Sequence, residues 1–226
     1  MTAMINTRSW TLCACALLMA STTLAGCSRV VVGAPRLAGP PPVPIGALLI
    51  EPARFPPQYP AAVLDGTAVY RALQDINGVA PGAVVTPAEC APPPVASSQS
   101  VAAEGIDSAT ASSLIVAVTR PAAALGKRGE QLRRCASFTT ANQGVRSDVT
   151  VTMLPQPPVD ADDSFAVDQT VTPSTGPVRR TLMLSAQISD TRVSVTWLHQ
   201  GEAEDPDTAS LHTLFSDAVL KVRRST

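Results

Sequence analysis

Hydrophobic and polar positions alternate along the second half of the chain in the pattern that is typical of β-strands. In residues 149–154, for example, valines and a methionine alternate with threonines. Residues 181–189 and 192–199 are separated by Asp190-Thr191, which is a hairpin signal. We therefore predict strands at residues 113–119, 138–140, 149–154, 165–171, 181–189 and 192–199. Residues 79–86, in the first half of the chain, are expected to form a further short strand.

A second pattern, with hydrophobic residues three or four positions apart, predicts helices. It is most regular near the C-terminus, where one apolar face contains Leu211, Leu214, Phe215, Ala218, Val219 and Val222. Asp205 is expected to cap this helix, with Pro206 in its first turn. Residues 67–76 and 121–134 are expected to form two more helices. The predicted fold class is α+β, with an antiparallel sheet of about five to six strands and helices packed on it, including the C-terminal amphipathic helix.

The first 26 residues have the pattern of a bacterial lipoprotein signal peptide. Arg8 is the only charged residue before an apolar run at residues 10–24, and the sequence L-A-G-C ends at Cys27. The run is shorter than the roughly 20 apolar residues that a membrane-spanning helix needs. We expect cleavage before Cys27 and lipidation of its thiol, so that the protein is anchored on the extracytoplasmic face of the cell membrane. The alternative is an ordinary secretory signal or a short uncleaved anchor.

The rest of the chain divides into a tether and one domain. Residues 27–46 contain the lipid anchor and a proline-rich stretch that is expected to be extended and semi-rigid. Residues 47–226 are then a single globular domain. Removing the leader removes Arg8 and no acidic residue, which leaves a net charge of −2. This balance argues against nucleic acid as a partner.

The cysteines divide in the same way. Cys13 and Cys15 lie in the leader and Cys27 is assigned to the lipid, so Cys90 and Cys135 remain. In an oxidising compartment, two remaining thiols favour one disulfide bond. Two free buried thiols are the alternative.

No motif in the chain predicts a catalytic residue, a metal site or a cofactor. Its two histidines, His199 and His212, are interpreted as solvated, and no G-x-S-x-G elbow is present. Acidic residues cluster at 160–163 and 202–207 without the ligand spacing of an EF-hand, so they are also interpreted as solvated. A basic strip on the helix at 121–134 is interpreted as a solvated face, or as a contact with anionic lipid or glycan of the envelope. It contains Lys127, Arg128, Arg133 and Arg134.

Two motifs around the cysteines resemble a known group of proteins. The element V-x-P-x-E-C ends at Cys90, and L-R-R-C-x-x-F contains Cys135. With the order of predicted elements, they resemble mycobacterial lipoproteins of unknown function and, more distantly, the extracellular sensor domain of the PknH-type receptor kinases. The resemblance implies an antiparallel α+β domain with a groove for a ligand. The kinase sensor domain carries two disulfides, whereas this chain can form one.

These observations support three hypotheses about function. The preferred one is a non-enzymatic, sensor-like lipoprotein that binds an unknown envelope ligand or protein partner. The second is a carrier of lipid or lipoglycan, which requires an apolar cavity in the domain. The third is an envelope hydrolase that uses His199, and the missing nucleophile motif argues against it.

Overall fold

The computed structural model describes residues 43–94, 96–201 and 205–226. The predicted signal peptide, Cys27 and most of the predicted tether lie outside these residues. No helix within the described residues is long and apolar enough to cross a membrane.

The described residues form nine strands in one antiparallel sheet, in the order β1-β3-β4-β9-β8-β7-β6-β5-β2. The strands are β1 (Ala61–Val63), β2 (Val84–Thr86), β3 (Ser100–Asp107), β4 (Ser112–Thr119), β5 (Ser137–Asn142), β6 (Val145–Leu154), β7 (Asp163–Pro173), β8 (Arg179–Ile188) and β9 (Thr191–Gln200). The helices are α1 (Gly66–Asn77), α2 (Leu125–Arg134) and α3 (Thr208–Ser225), and short 3-10 turns lie at Ile45–Leu48, Pro52–Arg54, Ala88–Cys90 and Ser97–Gln99. The α+β class is confirmed, and the sheet has more strands than predicted.

One face of the sheet is covered by α3. The apolar face of this helix packs against Val193, Val195 and Trp197 of β9 and against the alternate residues of β8. Trp197 and Phe215 are fully buried here, and burying side chains of this size stabilises the fold by about 2–3 kcal/mol each. The N-terminal part of the domain adds a further layer on the same face.

The opposite face is covered by α1 and α2. Val69, Ala72 and Ile76 of α1, with Leu125 and Leu132 of α2, are buried against this side of the sheet. The helices are 12 and 10 residues long, whereas α3 has 18 residues. The sheet is therefore covered on both faces, but by shorter helices on this one.

Four predicted boundaries were wrong: three at the ends of helices and one in a predicted strand. Asp207, not Asp205, caps α3: its carboxylate accepts a hydrogen bond from the Ser210 backbone N–H at 3.0 Å. Helix α2 begins at Leu125 instead of residue 121, because Ala124 is extended. Helix α1 extends to Asn77, one residue further than predicted. The strand predicted at 79–86 is reduced to β2, because Gly82 has a positive φ of 75° and turns the chain.

The domain also begins before residue 47. Val43 and Ile45, which were predicted to belong to the tether, pack against the core beside α3. The guanidinium of Arg120 donates to the Val43 carbonyl at 2.7 Å, which fixes this segment on the end of β4.

Cys90 and Cys135 are joined by a disulfide bond, with their Cα atoms 5.6 Å apart. Cys135 directly follows α2, and Cys90 ends the 3-10 turn after β2. Both residues are buried. The bond therefore connects the C-terminal end of α2 to the proline-rich segment that follows Cys90.

Removal of this disulfide is expected to destabilise the domain. The two cysteines are 45 residues apart, for which loop entropy gives an upper value of about 4 kcal/mol and typical measurements give about 2–4 kcal/mol. Urea unfolding of the Cys90→Ala/Cys135→Ala variant should show this loss, and a mild reductant should lower the stability of the wild type but not of the variant. Two alkylatable thiols in non-reduced, denatured protein would contradict the prediction.

Candidate functional site

The gap between α1, α2 and the sheet contains a cleft with two parts. An inner pocket of about 50 Å³ lies against β4, β7, β8 and β9. An outer groove of about 260 Å³ lies between α1 and the segment at residues 91–94. Leu73, Asn77 and Pro93 line both spaces, so the two adjoin. We call them together the cleft.

The floor of the inner pocket is partly polar although it lies in the middle of the sheet. Ser185 and Ser194 are paired across β8 and β9, and their hydroxyl oxygens are 2.6 Å apart. Arg192 and Thr119, which are paired across β9 and β4, extend this floor toward the start of α2. The strand alternation that sends Val193 and Val195 to the α3 side sends these polar residues into the pocket.

Arg128 enters the pocket from α2 and is buried, with 8% of its surface exposed. Its two terminal nitrogens donate to Gln131 Oε1 at 2.6 Å and to Asn77 Oδ1 at 3.0 Å. The Gln131 amide nitrogen donates to the carbonyls of Glu89 and Ala91 at 2.7 and 2.8 Å, which turns its oxygen toward Arg128. The guanidinium is therefore oriented by two neutral side chains, Asn77 of α1 and Gln131 of α2, and Gln131 is itself held by the backbone on either side of Cys90.

Arg192 has the same degree of burial and an incomplete set of partners. One terminal nitrogen donates to the Ala123 carbonyl at 2.7 Å, just before α2, while Nε has no hydrogen-bond partner. Within the described residues, neither Arg192 nor Arg128 forms an ion pair. The two arginines therefore offer N–H groups and positive charge to the pocket.

The two guanidinium groups affect each other electrostatically. Burial lowers the pKa of Arg128 to about 10, and the charge of Arg192 adds to this effect. Burial also lowers the pKa of Arg192, against the opposing effect of the Asp163 carboxylate. Both groups remain protonated at neutral pH, so two buried positive charges face the same small space.

Helix α1 forms the other wall and is attached by charge as well as by apolar contacts. Arg179 donates to Asp75 at 2.7 Å. Burial raises the pKa of the Asp75 carboxyl in spite of this partner. The pKa of Glu104, on β3, is also raised, chiefly by burial, and the charge of Asp75 adds to it. Gly78, with φ of 68°, ends the helix directly after Asn77, and a Cβ there would collide with the Gln169 amide.

The outer groove is lined by apolar and polar residues together. Tyr70 and Leu73 of α1 form one side, and Pro92, Pro93 and Pro94 form the other. Tyr70 is 46% exposed. This groove offers an open approach to the inner pocket, with Gln74 and Asn77 beside its apolar residues.

The residues that the sequence singled out are not assembled into a catalytic site. His199 was predicted to be solvated, but it is 8% exposed and stacks on Trp197, with ring centroids 5.8 Å apart, because both residues point to the α3 side of β9. His212 is exposed on α3. Neither histidine of the chain lines the cleft.

The charged clusters also have structural partners. Asp160 and Asp162 form ion pairs with Arg223 at 2.9 and 3.6 Å. Residues 202–204 of the second acidic cluster lie outside the described residues. The described part of the chain contains no group of three or more His, Cys, Asp or Glu residues that could hold a metal ion. The interpretation of the basic strip was wrong for Arg128, which is buried, whereas Lys127, Arg133 and Arg134 are exposed.

Sequence reasoning therefore missed the two central residues of the cleft. Arg128 was assigned to the solvated face of its helix, and Arg192 was not singled out. A signal for Arg128 was present, because Leu125, Arg128, Gly129 and Leu132 have the spacing of a single helix face.

Comparison with known proteins gives similarity to solved structures only. No family model matches the chain, and no curated protein sequence does. An uncharacterized protein of Mycobacterium smegmatis, the ortholog of Rv0999, is 17% identical with a TM-score of 0.45, covering 76% of this chain and 92% of its own. The extracellular domain of PknH from Mycobacterium tuberculosis is 13% identical with a TM-score of 0.45, covering 77% and 97%. The resemblance to this group of domains is confirmed at the level of the fold.

Replacement of Glu104 by Gln is expected to stabilise the domain at neutral pH. The folded state raises the pKa of this carboxyl, so its charged form is disfavoured above that pKa, and the penalty disappears as the pH falls below the ordinary value. Gln imitates the protonated form, and its Tm should exceed that of the wild type by about 1–3 °C at pH 7, the size that a fraction of 1 kcal/mol produces in a domain of this length. The difference should vanish near pH 3.

The same substitution at an exposed position, Glu89→Gln, is the control and should leave the Tm within about 1 °C at both pH values, as surface substitutions usually do. A lower Tm of Glu104→Gln at pH 7 would contradict the prediction. It would mean that the charged Glu104 stabilises the folded state.

Proposed function

We propose that this protein is a lipid-anchored, extracytoplasmic binding protein of the cell envelope and that the cleft is the site of its ligand. The observation that carries the proposal is the inner pocket, where Arg192 and Arg128 are buried with N–H groups that no protein acceptor uses. Buried polar groups are normally satisfied, and exceptions need an explanation such as a ligand. A mostly apolar groove that leads to a few convergent polar groups is the usual composition of a small-molecule site.

The chemistry of the cleft favours binding over catalysis. A serine nucleophile needs an adjacent base. Ser185 has Ser194 as its hydrogen-bond partner, and the two positive charges nearby cannot accept its proton. The hydrolase hypothesis placed the base at His199, which points to the opposite face of the sheet. We therefore assign the cleft a non-enzymatic role.

The carrier hypothesis has less support than the binding hypothesis. It requires an apolar hollow, whereas the inner pocket has a polar floor and holds the volume of only a few water molecules. The sheet's apolar residues are packed under α1, α2 and α3.

The proposed location depends on Cys27 and on the compartment. A diacylglycerol and a further acyl chain on the new N-terminus would give a stable anchor, since two lipid chains suffice for this. The Cys90–Cys135 disulfide fits an oxidising compartment outside the cytoplasm. A domain held there by residues 27–42 would meet ligands or protein partners of the envelope.

Lipidation is tested by metabolic labelling. We expect the chain, expressed in a bacterium with its own lipoprotein pathway, to incorporate an alkyne-labelled palmitate and to lose the label in the Cys27→Ala variant. The Cys13→Ala variant is the control and should keep the label, because that residue is removed with the leader. Label that persists in Cys27→Ala would contradict the anchor.

Ligand binding is tested by blocking the cleft. Leu73 lines both parts of the cleft, so Leu73→Trp should fill it, whereas Arg71→Trp adds the same ring to an exposed position of α1. Full-length protein purified in mild detergent from its own envelope should carry a noncovalent ligand in native mass spectrometry. Occupancy should fall at least tenfold in Leu73→Trp and stay unchanged in Arg71→Trp.

Equal occupancy in both variants would place the ligand outside the cleft. Absence of any bound species, together with no thermal shift of the wild type by a small-molecule extract of the envelope, would contradict a binding function. A bound species with the mass of a multiply acylated lipid would instead support the carrier hypothesis.

A further inference from the structure

We infer that the inner pocket binds one small oxyanionic group of the ligand, a phosphate or a carboxylate, between the guanidinium groups of Arg128 and Arg192. This inference rests on the proposed function, since it specifies the chemistry of the ligand that the cleft takes.

The positive charges of the two buried arginines are not compensated by an ion pair within the described residues. Arg128 and Arg192 are each about nine-tenths buried, and their hydrogen-bond partners in the fold are neutral: Gln131, Asn77 and the Ala123 carbonyl. Buried charges are usually paired, because removing an ion from water is costly without an opposite charge. Two like charges that share one pocket increase this cost. A bound anion would offset it for both arginines at once.

The inner pocket also contains hydrogen-bond donors that the fold holds in place. After its bonds to Gln131 and Asn77, each terminal nitrogen of Arg128 still has a second hydrogen, and Arg192 Nε has no acceptor. The hydroxyls of Ser185 and Ser194 lie in the same lining. Guanidinium groups bind carboxylate and phosphate in a fork geometry with two parallel hydrogen bonds. The residues that hold the guanidinium groups leave these hydrogens available for such a group.

The Asp163 carboxylate does not complete the pocket. Its charge acts on Arg192, but its oxygen lies close to Gly126 at the start of α2. Within the described residues it forms no ion pair with Arg192, and it is one negative charge against two positive charges. The pocket therefore keeps a net positive charge.

The inner pocket is too small to hold a whole ligand. A volume of about 50 Å³ admits a single group of a few heavy atoms, so the remainder of the ligand must extend into the outer groove. That groove is bordered by Tyr70 and three consecutive prolines, with Gln74 and Asn77 also in its lining. The ligand class is therefore a molecule with a terminal oxyanion and a body that this mostly apolar groove can hold.

The experiment measures binding of two probes, inorganic phosphate and acetate, to the full-length protein in mild detergent. Each probe is compared with potassium chloride at equal ionic strength. We expect phosphate, acetate or both to raise the Tm, and Arg128→Gln and Arg192→Gln to weaken this effect at least tenfold in the concentration required. Arg134→Gln removes the same charge from an exposed position of α2 and should behave as the wild type.

A second measurement avoids the risk that a buried variant fails to fold. In wild-type protein labelled with nitrogen-15, the Nε–H signal of Arg192 should shift when phosphate or acetate is added, while that of Arg134 should stay in place. Arg128→Lys, which keeps the charge but loses the fork, should fold and still bind more weakly than the wild type.

The two probes separate the sources of the anion. A response to phosphate alone assigns a phosphorylated ligand, and a response to acetate alone assigns a carboxylate. No rise in Tm and no shift of the Arg192 signal with either probe would overturn the inference. If the ligand from the envelope is nevertheless displaced by Leu73→Trp, the binding function stands and its ligand is neutral in the inner pocket.

Discussion

Burial of the central strands on both faces is the constraint on which the rest of this structure depends. Every residue of β4 is buried, and so are eight of the ten residues of β9; the other two are Ser194, which is half-buried, and Gln200, which is exposed. A strand in this position needs side chains that can be packed on both sides. On the α3 side the chain supplies Val, Leu, Ile and Trp. On the other side it supplies Ser185, Ser194 and Arg192, which α1 and α2 cover incompletely.

The incomplete cover has a physical cause. Helices α1 and α2 are short, and the buried stripe of α2 is interrupted by Arg128, whose charged end cannot be pressed against an apolar sheet without polar partners. Asn77 and Gln131 provide those partners. Arg192 donates to the Ala123 carbonyl just before α2. The gap between these helices and the sheet is thus bridged by polar contacts.

The sequence predicted the elements whose patterns are strong. The alternation in β6, β8 and β9 and the long apolar face of α3 are direct consequences of packing on a sheet, so they could be recognised without knowing the fold. Strand β3 was missed because Ala, Gly and Glu have little preference for strands, although Gly105 is required there: a Cβ would lie 2.6 Å from the Tyr59 carbonyl. The short strands β1 and β2 are defined by their neighbours and carry no pattern of their own.

The candidate site was not predictable to the same extent. For Arg128, the helix spacing indicates a buried position, whereas arginine is usually exposed. The prediction of a basic surface strip was based on the usual exposure of arginine and was therefore wrong for this residue. For Arg192, alternation with Val193 and Val195 indicated a face other than the α3 face, but only the tertiary structure shows that α2 covers it. Charged residues in a half-polar strand are usually solvated, so their burial depends on contacts distant in sequence.

The disulfide connects the chemistry of the compartment to the geometry of the cleft. Cys90 lies between Glu89 and Ala91, and the backbone carbonyls of these two residues hold the amide of Gln131. Gln131 in turn orients Arg128, and the segment after Ala91 supplies the prolines that border the outer groove. Since Cys135 fixes the same segment to the end of α2, the covalent bond holds one border of the outer groove to the helix that carries Arg128. An oxidising environment would therefore contribute more than global stability to this domain, because it fixes the backbone carbonyls that hold Gln131 and, through it, Arg128.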